Sequence, residues 1–157
     1  MANGNQGPAE RGSRRCLQHD VNVRPDHLCE IVLSASPGLL SLGVAQFAWI
    51  SPLAPRNYLE YRDDFLTMLS LKSHEADLRH FWPLNGPQWD ALAKMSVRSG
   101  EAVLLVEAKA HLGESMTSCQ ATDPASIATI QRAFARVQGF MRIAPSVDVA
   151  RYWIEGG

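Results

Sequence analysis

Four side chains in the second half of the chain are of types that do chemistry together: Asp90, Glu107, Lys109 and His111. The last three lie in Ala102 to Glu114, AVLLVEAKAHLGE, which opens with five apolar residues and then admits polar ones on a single parity. Strand side chains alternate between faces. Read as a strand, the segment puts Glu107, Lys109 and His111 on one face and Val106, Ala108 and Ala110 on the other, against a core. Charges at the end of a buried strand are costly to desolvate unless they serve each other or a ligand. Asp90 stands 17 positions before Glu107. Two carboxylates brought together repel and raise each other's pKa unless a cation lies between them. Hard oxygen donors of this kind select Mg²⁺ or Mn²⁺. A lysine beside them can orient an attacking water or stabilise charge developing on phosphorus. The set therefore suits metal-assisted hydrolysis of a phosphodiester. Its plainer alternative is a surface ion pair of Glu107 with Lys109, Asp90 being a turn residue.

The elements around these residues must bring them together. Trp89 to Val97 reads as a strand, Arg98-Ser99-Gly100-Glu101 as a turn, and the central apolar run as the returning strand of an antiparallel hairpin. Asp90 is then early in one strand and Glu107 late in its partner, so the two carboxylates meet at one edge. Upstream, SPLAPRN (Ser51 to Asn57) is turn chemistry, and Tyr58 to Leu71 is expected to be helical, with Leu59, Phe65, Leu66, Met68 and Leu69 on an apolar flank. Glu60, Asp63 and Asp64 lie elsewhere on that helix. They read as solvated acids near its N-terminus; the sharper alternative aims Glu60 at the site of Glu107. His111 and Glu114 extend the cluster as a second tier, His111 either contacting phosphate or standing as a rim histidine. Ser115 and Thr117 are loop residues that could reach phosphates.

His74 to Phe81 is expected to be a short helix. Its HEADLRH stretch lacks the four-residue histidine spacing of a zinc protease, because position 78 is Leu78. Pro83, Gly86 and Pro87 force a tight loop that Trp82 and Trp89 anchor. Gly113 to Ala121 is a loop, and Asp123 with Pro124 starts a helix carrying Ile127, Ile130, Phe134 and Val137, with Gly139 at its end. The last stretch, APSVDVARYWIEGG, fits a strand and a helix equally. Residues 28 to 50 are apolar but broken by Pro37, Gly38 and Gly43, and read as short strands or buried turns, for example at Gly43 to Ile50. No GK[ST] follows those glycines, which excludes a phosphate loop. Residues 1 to 27 lack apolar periodicity and read as a flexible tail, in which Arg11, Arg14 and Arg15 are solvated charges with phosphate contact as the alternative.

With 157 residues, 46% of them hydrophobic, the chain can bury a core, and residues 28–157 are expected to form a single domain. A net charge of -1 gives no global pull toward nucleic acid. Cys16, Cys29 and Cys119 are widely spaced, which argues against a disulfide framework or zinc site and suits a reducing, cytoplasmic location. No apolar run is long enough to span a membrane, and the N-terminus lacks the order of a signal peptide.

Pro87-Gln88-Trp89-Asp90, then 16 residues, then Glu107-Ala108-Lys109 after an apolar strand resembles the PD-(D/E)XK nuclease superfamily. The fuller pattern, FWPLNGPQWDALA with LLVEAKAH, is similar to an uncharacterised bacterial group within it, over roughly Trp49 to Phe140. The resemblance implies an α/β fold with a restriction-endonuclease-like core: a small mixed β-sheet flanked by helices. It implies Asp90 and Glu107 as metal ligands, often joined by the carbonyl of the residue between Glu and Lys (here Ala108), Lys109 as a catalytic residue, Mg²⁺ or Mn²⁺ as cofactor, and DNA as substrate. The alternative is a catalytically inactive interaction or nucleic-acid-binding module on the same fold. Two departures stand out. Gln88 and Trp89 separate Pro87 from Asp90, where the superfamily has Pro directly before Asp. No clear strand follows the helix begun at Asp123, so a shortened core is expected, with a sheet edge left open or covered by a second copy or a partner chain.

Overall fold

The middle strand of the sheet is Ala91–Val97, whose first three residues are wholly buried. In the computed structural model, residues 7–111 and 119–141 are described. They give a mixed α/β architecture with helices on either side in sequence of a three-stranded antiparallel sheet. The strands are β1 (Gln46–Ser51), β2 (Ala91–Val97) and β3 (Gly100–Val106), in the order β1-β2-β3. The expected hairpin is β2 and β3, joined at Arg98 and Ser99, with Ala91 opposite Val106 and Val97 opposite Gly100. β1 pairs with the other side of β2, Phe47 opposite Met95 and Trp49 opposite Ala93, and its register shifts between Trp49 and Ser51. The parallel component expected of a mixed sheet is not among the described strands, and residues 142–157, where a further strand was sought, lie outside the described residues.

The chain divides into two compact units. The first comprises Met1–Leu71 and Pro87–Ala110 and contains the sheet. It opens with helices α1 (Gly12–Val23), α2 (Pro25–Ala35) and α3 (Pro37–Leu42). Proline at the start of α2 and α3 suits their first turns, where an N–H has no helical partner. Gly43 ends α3 in the left-handed region at φ 65°, a conformation that costs glycine little. Within the stretch expected to be a flexible tail, Gly12–Val23 is instead the helix α1. Leu17, Val21 and Leu28 from α1 and α2 are buried with Ala91, and Val32, Trp49, Leu53, Val106 and Ala108 pack on them. Asn22 ties α1 to the chain after β1, donating to the Pro52 carbonyl at 2.7 Å and accepting from the Ala54 N–H at 2.8 Å.

The opposite face of β2 carries the segment around Tyr61 to Ser70, since Lys94 donates to the Ser70 hydroxyl at 3.1 Å and Phe65, Leu66 and Leu69 are buried. A strand covered on both faces is apolar on both parities, as Ala91, Leu92 and Ala93 are. The helix expected over Tyr58 to Leu71 is only α4 (Phe65–Met68). Positive φ at Asn57, Tyr58 and Ser70 interrupts it, and Tyr61 instead forms an antiparallel bridge with Trp89.

The second unit comprises Lys72–Gly86 and His111–Gly157. It holds α5 (Glu75–Phe81) and α6 (Pro124–Met141). The Asp123 cap is as expected: its carboxylate accepts from the Ser126 N–H at 2.8 Å. α6 runs through Gly139 to Met141. Trp82 packs edge-on against Phe134, ring centroids 6.4 Å apart. Among the described residues no helix is long and apolar enough to cross a membrane.

Candidate active site

Antiparallel pairing carries Asp90 to the end of β3. The Asp90 N–H donates to the Val106 carbonyl at 3.0 Å, continuing the ladder one residue before β2 begins. The Asp90 side chain then accepts, through Oδ2, from the Ala108 N–H at 2.8 Å. Main chain and side chain of Asp90 thus grip the residues on either side of Glu107. Glu107 and Lys109 point the same way, as their parity requires, and the Lys109 ammonium contacts Glu107 Oε1. Val106 and Ala108 take the other side and pack on the core.

Burial differs from the sequence reading. β3 ends at Val106, and the Glu107 and Lys109 side chains are 46% and 39% exposed, so their ion pair is worth little to the fold. The desolvated acid is Glu60, whose side chain is 1% exposed. The bridge of Tyr61 with Trp89, closed by the Trp89 N–H on the Tyr61 carbonyl at 2.9 Å, lays Glu60 beside Gln88. Arg14 of α1 donates through Nε to Glu60 Oε1 at 2.6 Å, and the Gln88 amide donates to Glu60 Oε2. Arg14 also donates through Nη2 to the Gly7 carbonyl at 3.1 Å. Glu60 is thus not the solvated acid of the plainer reading; its carboxylate is engaged by Arg14 and Gln88.

The electrostatics join these groups. Partial burial pushes the Asp90 carboxyl above its ordinary value; the Ala108 N–H opposes the rise, the negative charges of Glu107 and Glu60 add to it, and Lys109 again opposes it. Asp90 is therefore within electrostatic reach of two further carboxylates. Among the described residues, no three His, Cys, Asp or Glu side chains are grouped so as to hold a metal ion directly. Each acid has a protein partner instead: Arg14 and Gln88 for Glu60, Lys109 for Glu107, the Ala108 N–H for Asp90. Carboxylate oxygens are the donors that a hard divalent cation takes, one or two at a time, with water and phosphate completing its shell.

Of the residues singled out in the sequence, Asp90, Glu107, Lys109 and Glu60 are brought into one neighbourhood. His111 belongs to the second unit and is exposed. Glu114, Ser115 and Thr117 lie outside the described residues. Two residues were missed. Arg14 was assigned to a solvated tail, although Leu17, Val21, Leu28 and Val32 recur at helical spacings that would have revealed α1 and α2. Gln88 was read only as a departure from a Pro-before-Asp pattern. No protein-family model, curated protein or solved structure matches the chain.

Proposed function

We propose that the chain is a Mg²⁺- or Mn²⁺-dependent nuclease that hydrolyses phosphodiester bonds of DNA, on a restriction-endonuclease-like core of the PD-(D/E)XK type. The observation that carries this reading is the grip of Asp90 on Val106 and Ala108, which sets Glu107 and Lys109 beside it at one end of the β2–β3 hairpin. The β2–β3 hairpin of the antiparallel sheet supports the reading, and the restriction-endonuclease-like core, the choice of DNA and the cytoplasmic setting rest on the sequence resemblance. β3 is paired on one side only among the described residues, an edge that a second copy or partner chain would cover.

Asp90 and Glu107 would hold the cation. When bound, it would supply Lewis-acid stabilisation of charge on the phosphate oxygens. Asp90 keeps one oxygen on the Ala108 N–H, which fixes its carboxylate plane and leaves Oδ1 for that role. Lys109, released from Glu107, would orient the attacking water and stabilise the negative charge that develops on phosphorus. The exposure of Glu107 and Lys109 leaves this end of the hairpin reachable by a polymer.

A second reading, a non-catalytic interaction module on the same fold, is favoured by the engagement of Glu107 by Lys109 and of Glu60 by Arg14. Plasmid and linear DNA incubated with the protein and Mg²⁺ or Mn²⁺ separate the two. Nicking or degradation is expected, lost with a chelator, with Glu107→Ala and with Lys109→Ala. DNA left intact under every cation condition would favour the module.

A further inference from the structure

We infer that Arg14 is a positioning residue of the carboxylate site, acting through Glu60 and Gln88; the inference rests on the reading of Asp90 and Glu107 as cation ligands. Glu60 is the most deeply buried acid of the cluster, and both of its oxygens are taken, Oε1 by Arg14 at 2.6 Å and Oε2 by Gln88. A buried carboxylate needs such partners, because an unpaired charge there is strongly destabilising. Its partners are in turn constrained. Gln88 lies two residues before Asp90, and Trp89 between them is pinned by its N–H to the Tyr61 carbonyl. Arg14 is set by α1 and by its bond to the Gly7 carbonyl.

The N-terminal segment is itself tied down at that point. The Gly7 N–H donates to the Asn57 carbonyl at 2.7 Å, Gln18 donates to the Gly7 carbonyl at 3.1 Å, and the Ala9 N–H donates to Gln18 Oε1 at 2.8 Å. Gln18 is 5% exposed. The guanidinium is thus held by a closed set of bonds and not by one flexible side chain. A continuous path of hydrogen bonds and main chain runs from α1 through Arg14, Glu60 and Gln88 to Asp90. Outer partners of this kind orient the ligands they touch, and their loss commonly weakens metal binding by about 10–100-fold.

Charge alone and positioning make opposite predictions. Removing a nearby positive charge should strengthen the binding of a cation. Removing a residue that holds Glu60 and Gln88 in place should weaken it. Calorimetric titration with Mn²⁺ of the full chain, its Arg14→Gln and Glu60→Gln variants and the double variant decides between them, each first checked for folding by circular dichroism. The inference expects Arg14→Gln to bind Mn²⁺ about tenfold more weakly than wild type. It expects the double variant to bind as Glu60→Gln alone does, because Arg14 acts through Glu60. Should Arg14→Gln fail to fold, Arg14→Lys, which keeps the positive charge beside Glu60 and loses the two-armed grip on Glu60 and the Gly7 carbonyl, takes its place, with weaker Mn²⁺ binding than wild type expected and wild-type affinity overturning the inference. Wild-type or tighter affinity in Arg14→Gln, or weaker binding in the double variant than in Glu60→Gln, overturns the inference while leaving the cation site standing. Absence of Mn²⁺ binding by the wild type overturns both.

Discussion

Asp90 stands where the charge of its own carboxylate is disfavoured. Its carboxyl is raised first by partial burial and further by Glu107 and Glu60. A carboxyl raised in the folded state contributes stability below its unfolded pKa, and loses it as pH climbs through the folded value. Once ionised, Asp90 therefore works against folding. Asp90→Asn, which can still accept from the Ala108 N–H, is expected to melt at a higher temperature than wild type near pH 7. The difference should close as the pH falls into and below the carboxylate range. A constant difference across that range, or a less stable variant at neutral pH, would show that Asp90 is not strained by its neighbours. Lys109→Ala and Glu107→Ala should melt close to wild type, since both side chains are about half exposed. That Asp90 and Glu107 fall at the same end of the hairpin was legible in the sequence, because antiparallel register determines it. Glu60 was not, because its position depends on a bridge between Tyr61 and Trp89 that no local pattern announces.

At the scale of elements, the β2–β3 hairpin was legible from alternation, the Arg98–Gly100 turn and the apolar run that precedes Glu107. The helix over Tyr58 to Leu71 was over-read. Its apolar spacing is real, and Phe65, Leu66 and Leu69 are buried, but positive φ at Asn57, Tyr58 and Ser70 and the bridge at Tyr61 leave only one helical turn. The helix α1 was overlooked because Gly12, Arg14 and Arg15 give it the composition of a tail, while Leu17 and Val21 supply its few buried apolar contacts. That correction has a measurable consequence. Leu17 is 6% exposed in a cluster with Val21, Leu28 and Ala91, whereas Leu40 of α3 is 59% exposed. Leu17→Ala should cost about 2–5 kcal/mol in denaturant unfolding, and Leu40→Ala well under 1 kcal/mol by the ordinary behaviour of exposed positions. Equal, small losses for both would mean that α1 is not part of the folded core.

The whole molecule offers DNA no long-range attraction: 15 basic and 16 acidic side chains leave a net charge of -1. Phosphate binding that depends on counter-charge must then come from a local cluster of positive charge, and a cation held by the proposed site would be one. DNA affinity, read by fluorescence anisotropy, should be weak with a chelator and rise with Ca²⁺, which shares the oxygen-ligand preference without the tight octahedral geometry of Mg²⁺. Affinity that ignores divalent cations would point to a nucleic-acid-binding surface elsewhere. The central claim is narrower than nuclease activity: Asp90 and Glu107 together form a divalent-cation site. Its most direct test is calorimetric titration of Mn²⁺ into the wild-type chain and into the Asp90→Ala, Glu107→Ala double variant. Saturable binding by the wild type, lost in a double variant that is still folded, is the result expected; identical, near-zero heats from both proteins would contradict it.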